Sequence, residues 1–77
     1  MDRNNLNNIV AANVAAAIKL AGLSEASIAR DTGIPLTTLR RKLERLNGAS
    51  FTVGELALIG VQMNVDPAEF FAETVAA

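Results

Sequence analysis

The chain has 77 residues, no cysteine, no histidine and a formal net charge of −1 at neutral pH. This length allows one small domain, and the two missing residue types exclude disulfides, thiol nucleophiles, imidazole acid–base catalysis and the usual zinc ligands. We therefore expect a protein that is not an enzyme and that has no metal and no cofactor. Helix-forming residues are abundant and no long alternating apolar run is present, which predicts an all-α fold.

The N-terminus has no basic segment followed by an apolar one, so it does not match a signal peptide. The longest apolar run is far shorter than the ~20 residues that a membrane-spanning helix needs. We expect a cytoplasmic protein with no membrane partner.

The first predicted helix runs from about Leu6 to Ala21, with Asn4 or Asn5 as its N-cap and Gly22 as its stop signal. Apolar residues recur along it at intervals of three and four, which places them on one side of the helix. They are Leu6, Ile9, Val10, Val14, Ala17, Ile18 and Ala21.

A second, short helix is predicted to begin after Ser24, an N-cap flanked by the apolar residues Leu23 and Ile28. Ile28 and Ala29 face inward in this helix. Gly33 follows, and glycine is the residue best suited to a sharp turn with a positive φ.

The third predicted helix begins near Pro35 or Leu36 and ends near Asn47 and Gly48, a pair suited to a left-handed C-cap. Its leucines repeat every three or four residues and should form an inward row. They are Leu36, Leu39, Leu43 and Leu46.

The fourth and fifth predicted helices cover about Val53 to Met63 and about Pro67 to Val75. Their N-caps are Thr52 and Asp66, each with an apolar residue before it and another four residues after it. A glutamate three residues after each cap would close a capping box, and Pro67 suits the first helical position. The chain is thus predicted to form a compact domain of five helices.

The stretch from Ser24 to Glu44 resembles the helix-turn-helix of small phage Cro and immunity-repressor proteins, in which a small residue lies midway along the first helix and a glycine opens the turn. Ala29 and Gly33 are those residues here. The resemblance implies that helices 2 and 3 form a helix-turn-helix and that the partner is a double-stranded DNA operator, with no small-molecule ligand. It also implies base reading from the start of helix 3, which corresponds to Pro35, Leu36, Thr37, Arg40, Arg41 and Glu44.

Charge is distributed unevenly along the chain. Residues 19–45 contain six basic and three acidic residues, whereas residues 46–77 contain four acidic residues and no basic one. Local charge matters more than total charge for a surface that faces phosphate, so helices 2 and 3 remain candidates for DNA binding.

If the leucine row faces inward, the polar residues of helix 3 face outward. From this orientation and the resemblance together we predict base reading by Leu36, Thr37, Arg40, Arg41 and Glu44. Arg41 is the first candidate, because an arginine can bond both O6 and N7 of guanine. The predicted phosphate contacts are Ser24, Ser27, Thr38, Lys42, Arg45, Asn47 and Ser50. Two alternatives stay open: the basic residues could only solvate an exposed face, and Leu36 could belong to the core.

A symmetric homodimer on DNA is predicted, because one short helix makes few base contacts and the resembling family pairs half-sites. The predicted interface consists of Phe71 and Val75 in helix 5 with Leu58 and Val61 in helix 4. In the alternative, Phe71 and Val75 complete the core of the monomer.

Together these features lead us to expect a nucleoid-associated transcriptional regulator, a phage or prophage Cro-like repressor that consists of this domain alone and blocks access to a promoter. The alternative is a helical protein-interaction module, similar to an antitoxin or adaptor, that docks another protein through its acidic C-terminal half.

Overall fold

The computed structural model describes residues 3–72 of the chain. Over that range all regular structure is helical, which confirms the predicted all-α fold. The elements in chain order are α1 (Arg3–Leu20), α2 (Glu25–Thr32), α3 (Leu36–Leu43), a first 3₁₀ turn (Leu46–Gly48), α4 (Val53–Met63) and a second 3₁₀ turn (Pro67–Phe71). The prediction of five helices is wrong, because the described residues form four α-helices and the fifth predicted helix is a 3₁₀ turn.

α1 contains Asn4 and Asn5, so neither residue caps it and the predicted start at Leu6 is wrong. Asparagine is a weak helix former but not a breaker, so the helix extends through this polar run. Val10, Val14 and Ile18 of the predicted apolar side are buried, together with Ala11, which was not predicted. Three further predicted residues are only half-buried: Leu6, Ile9 and Ala17. Ala21 lies beyond the last helical residue and is exposed, contrary to the prediction.

The chain bends sharply after α1. Gly22 has a left-handed φ of 71° and ends the helix, as predicted. The N–H groups of Gly22 and Leu23 donate to the carbonyls of Lys19 and Ile18, each at 3.1 Å, which satisfies two of the last free carbonyls. Within residues 3–72 no single helix is long and apolar enough to cross a membrane; α1 and α2 together would be, but they are bent by 103° at the break.

Ser24 and Thr52 cap α2 and α4, as predicted. The hydroxyl of Thr52 accepts the N–H of Glu55 at 3.1 Å, and the carboxylate of Glu55 accepts the N–H of Thr52 at 2.8 Å, which closes the predicted capping box. A second box, not predicted, joins Ser24 and Ser27, because each hydroxyl accepts the backbone N–H of the other residue. Both helix starts are therefore fixed by their own side chains.

The last described element begins at the predicted cap but is not an α-helix. Asp66 accepts the N–H of Ala68 at 3.0 Å, whereas the N–H of Glu69 bonds to the backbone carbonyl of Asp66, so the predicted capping box with Glu69 does not form. The turn ends at Phe71, and the next residue, Ala72, is extended.

The predicted helix to Val75 is wrong, because the extended Ala72 ends the helical geometry. A side chain from α1 bonds to this end of the turn: the amide of Asn13 donates to the carbonyls of Phe70 and Ala72, at 2.8 and 2.7 Å. These bonds satisfy two carbonyls at the point where the helical geometry stops. Val75 itself lies outside the described residues.

Every packed element contributes at least one fully buried side chain to the core. The largest fully buried residues are Val14 in α1, Ile28 in α2, Leu39 in α3, Ile59 in α4 and Phe70 in the second 3₁₀ turn. No described polar or charged residue is fully buried. Burial of apolar side chains is therefore what joins the five elements.

α4 and the second 3₁₀ turn approach each other closely at Gly60. A Cβ atom at this position would lie 2.6 Å from the carbonyl oxygen of Val65 and 3.1 Å from a ring carbon of Pro67. Asn64 ends α4 with a left-handed φ of 55°, and the N–H of Val65 then bonds back to the carbonyl of Gly60 at 2.9 Å. Glycine is required here for space rather than for its backbone angles.

α3 ends at Leu43, several residues before the predicted end near Asn47 and Gly48. Arg45 and Asn47 have left-handed φ angles of 56° and 55°, which an α-helix cannot contain. The chain therefore leaves the helix axis after Leu43.

The early end of α3 changes the inward leucine row. Leu39 is fully buried, and Leu36 and Leu43 pack against the core from partly buried positions. Leu46 lies in the first 3₁₀ turn and is 51% exposed, so the prediction that it faces inward is wrong.

Candidate nucleic-acid interface

α2 and α3 are joined by a short turn of Gly33, Ile34 and Pro35. Gly33 has a φ of 81°, and its N–H donates to the carbonyl of Ala29 at 3.0 Å. Ile34 is buried and anchors the turn to the core. Ala29 is also buried, and α2 and α3 pack against each other across the turn.

The side chain of Thr32 stabilises this turn by two hydrogen bonds, a role that was not predicted. Its hydroxyl donates to the carbonyl of Ile28 at 2.7 Å and accepts the N–H of Ile34 at 3.2 Å. A threonine near the end of a helix followed by glycine is compatible with many roles, so the local sequence is only a weak signal for this one.

The outer side of α3 carries the residues that were predicted to read bases. Four of them are exposed, and we refer to them as the α3 face: Thr37, Arg40, Arg41 and Glu44. Glu44 follows the last residue of α3 and its backbone N–H still bonds to the carbonyl of Arg40. Leu36 is partly buried against the core, which agrees with the alternative that it belongs there.

Of the two arginines of the α3 face, one has an ion-pair partner and the other has none among the described residues. The Nε atom of Arg40 lies 3.1 Å from a carboxylate oxygen of Glu25, the first residue of α2. Arg41 is exposed and has no hydrogen bond or ion pair within residues 3–72. Arg41 is therefore free to bind a ligand, whereas Arg40 is already oriented by a neighbour.

Lys42, a predicted phosphate contact, is committed to an ion pair. Its ammonium lies 2.6 Å from both carboxylate oxygens of Glu55, and the two side chains are only 14% and 19% exposed. Partial burial acts to raise the pKa of Glu55, but hydrogen bonds from Lys42 and from the backbone of Thr52, with the charge of Lys42, outweigh it and leave the pKa lowered. The charge of Lys42 is thus largely neutralised.

Arg45, a second predicted phosphate contact, folds back onto the protein. Its Nε donates to the side-chain oxygen of Asn8 at 3.1 Å, and one terminal nitrogen donates to the carbonyls of Gly48, at 2.9 Å, and Ala49. The guanidinium therefore ties the loop after α3 to α1.

The remaining predicted phosphate contacts lie at the edges of the α3 face. Ser24 and Ser27 flank the start of α2, where the Ser27 hydroxyl donates to the carbonyl of Ser24 at 2.8 Å and so has no hydrogen left for a phosphate. Asn47 is exposed on the first 3₁₀ turn, and Thr38 and Ser50 are half-buried.

The predicted dimer residues include three that the structure describes. Leu58 and Val61 lie three residues apart on α4 and are 48% and 76% exposed, and Phe71 is 41% exposed. Val75 lies outside the described residues. An apolar strip on α4 is thus uncovered in the monomer.

No protein-family model, no curated protein and no solved structure matches this chain. Function is therefore inferred from the residues of α2, α3 and α4 themselves.

Proposed function

We propose that the protein is a sequence-specific regulator that binds double-stranded DNA, with α2, the turn at Gly33 and α3 acting as a helix-turn-helix. One observation carries the proposal. α2, with its buried Ala29, packs against α3 across a turn in which Gly33 has a positive φ, while α3 turns Thr37, Arg40 and Arg41 outward. In proteins of this kind the second helix lies in the major groove and reads base edges.

The dimensions of α3 suit this role. Its eight residues make a helix about 12 Å long. An α-helix with its side chains is about 10–12 Å across, and the major groove of B-form DNA, about 12 Å wide, admits it. Leu39 holds one side of the helix in the core, so the opposite side is presented as a rigid surface. A recognition surface held in place by the core loses little conformational entropy on binding.

Arg41 is the best candidate for base reading. Since it has no partner within the described residues, it can bond a guanine without first breaking an ion pair. Thr37 offers a hydroxyl to a base edge and a methyl group to thymine.

The engagement of Lys42 and Arg45 leaves few free cations for phosphate, so one protomer should bind duplex DNA weakly. Phosphate contacts then fall to Ser24, Thr38, Asn47 and Ser50, with the free N–H groups at the start of α2. Weak binding by one protomer favours a dimer, because two linked half-sites add their binding energies.

We propose a symmetric dimer in which Leu58 and Val61 of α4 meet their copies, with Phe71 at the edge. The support for it is the exposure of these apolar side chains, which association would remove from water. Two α3 helices in such a dimer would have to lie about 34–36 Å apart to reach successive major grooves. Repression by blocking a promoter, as in Cro-like phage or prophage regulators, is the simplest mechanism.

The proposal is tested by selecting duplexes from a random-sequence pool at low salt and measuring binding of the enriched site. We expect Arg41→Ala to lose about 1–3 kcal/mol on that site, most of it at one base pair. Arg30→Ala is the matched control, because Arg30 is an exposed arginine on α2 outside the α3 face. Failure to enrich any sequence, with no binding to random duplex at low salt, would reject the proposal.

A protein-interaction module is the second candidate. It is favoured by large exposed apolar side chains on helices other than α3, among them Leu20 at 88% and Val53 at 77%. An open apolar groove of about 410 Å³ also runs beside Leu20, Met63 and Val65. Absence of DNA binding together with co-purification of one protein in stoichiometric amount would favour this candidate.

A further inference from the structure

Glu25 and Arg40 form a contact that joins the two helices of the proposed DNA-binding unit. The carboxylate and the guanidinium are 3.1 Å apart, and the side chains are 44% and 57% exposed. An exposed ion pair of this kind contributes little to folding stability. The ion pair therefore acts mainly on the orientation of the Arg40 side chain rather than on folding stability.

The ion pair with Glu25 leaves the two terminal nitrogens of the Arg40 guanidinium free. Glu25 accepts from Nε, and the two terminal nitrogens have no hydrogen bond among the described residues. A guanidinium has five N–H donors in one plane, so fixing Nε also fixes the direction of the terminal pair. That terminal pair is able to bond O6 and N7 of a guanine.

The same carboxylate is unfavourable for DNA binding in general. Glu25 lies in the first turn of α2, directly after Ser24, which is a candidate phosphate contact. A negative charge near the DNA backbone repels phosphate whatever the base sequence. Glu25 should therefore weaken binding to every duplex equally, while it aligns Arg40 for one base pair.

We propose that Glu25 is a specificity-determining residue, which lowers affinity for all DNA and raises the preference for the correct site by holding Arg40 in its reading orientation. The inference rests on the proposed DNA-binding function. Glu25 acts here as a positioning residue, since Arg40 and not Glu25 contacts the base.

The test compares Glu25→Ala with Asp31→Ala. Asp31 is a matched control because it is also an acidic residue of α2, is also 44% exposed and pairs with Arg30 on its own helix rather than with α3. Binding is measured to the selected duplex and to a random duplex, and the ratio of the two affinities is compared.

We expect Glu25→Ala to bind random duplex about threefold more tightly, the effect of one removed charge near the backbone. The specificity ratio should fall about tenfold, near the low end for one misread base contact. Asp31→Ala should leave the ratio within about twofold. Glu25→Gln, which keeps an oxygen acceptor without the charge, should recover part of the ratio.

A double variant completes the test. In an Arg40→Ala background, Glu25→Ala should no longer change the ratio, because no guanidinium remains to be oriented. An unchanged ratio in Glu25→Ala, or an equal fall in the Arg40→Ala background, overturns the inference while DNA binding itself stands. If the wild-type protein selects no sequence, the proposed function fails and the inference fails with it.

Discussion

The ammonium of Lys42 lies 2.6 Å from both carboxylate oxygens of Glu55, and this contact joins the end of α3 to the first turn of α4. Glu55 also closes the capping box of α4 by accepting the N–H of Thr52. One carboxylate thus serves a helix cap and an interhelical ion pair together. The basic end of α3 consequently supplies less free positive charge than its sequence indicates.

We expect Lys42→Ala to destabilise the domain by about 1–3 kcal/mol, because the partly buried Glu55 would lose its charged partner. Arg41→Ala is the control, since the neighbouring Arg41 is exposed, and its effect should stay within about 0.5 kcal/mol. Urea denaturation of both variants measures the difference. Equal stability of the two variants would show that the Lys42–Glu55 contact does not support the fold.

Acid should weaken the domain through Glu55. Its pKa is lowered in the folded protein, so its contribution to stability is complete above the ordinary value of 4.5 and is lost as the pH falls through the folded-state pKa. The free energy of unfolding of Glu55→Gln should accordingly depend less on pH below 4.5 than that of the wild-type protein. Parallel acid profiles for the two proteins would contradict this assignment.

Ala29→Leu should destabilise the domain by about 1–3 kcal/mol, because a larger side chain would overfill the contact between α2 and α3. Ala26→Leu places the same side chain on the exposed side of α2 and should change stability by less than about 0.5 kcal/mol. Thermal melts provide the comparison. A wild-type melting temperature for Ala29→Leu would mean that the two helices do not pack closely at this position.

Gly60→Ala should cost about 1–3 kcal/mol, since the added Cβ would lie 2.6 Å from the carbonyl oxygen of Val65. Gly54, in the same helix, has only the Thr52 hydroxyl within 4 Å of an added Cβ, at 3.9 Å. Gly54→Ala should therefore stabilise the domain slightly, by about 0.5 kcal/mol. Chemical denaturation of the pair tests this, and similar effects of the two changes would refute the close approach at Gly60.

Val61→Glu should abolish the proposed dimer and remove the advantage of a palindromic site over a single half-site, with the fold retained. Val61 is 76% exposed in the monomer, so the fold tolerates a glutamate there. Association of two copies would bury the charge of that glutamate, which is costly. Gln62→Glu adds the same charge at the next, exposed position and should leave association unchanged. Sedimentation measures both variants; a wild-type protein that remains monomeric on a full site would reject the dimer.

The helix starts after α1, and most stops, were predictable because their signals are local. The caps Ser24, Thr52 and Asp66 each bond a backbone N–H two or three residues away, and Gly22 and Gly33 end α1 and α2 within the same short range. Such signals are contained in a few consecutive residues, so the sequence displays them directly.

The errors concern partners that are distant in sequence. Arg45 bonds Asn8, 37 residues away, and Asn13 bonds Phe70, 57 residues away. The first contact accompanies the early end of α3, and the second accompanies the 3₁₀ geometry of the last element. No rule of spacing along one helix contains these contacts, since they exist only after the chain has folded.

The pairing of cations could not be predicted for the same reason. Arg40, Lys42 and Arg45 are near neighbours in sequence and were expected to share one surface. Their partners lie 15, 13 and 37 residues away, and these partners decide which charges remain free. The side chain of Arg41, between Arg40 and Lys42 and predicted first for base reading, has no partner among the described residues.

The arrangement of the core has a consequence for how the domain opens. Each of the packed elements contributes one of its fully buried side chains, and Leu39 is the contribution of α3. α3 therefore cannot detach without exposing the centre of the domain to water, and we expect its amide hydrogens to exchange through global unfolding rather than through local fraying. A ligand bound to the α3 face would then slow exchange throughout the domain, including in α1.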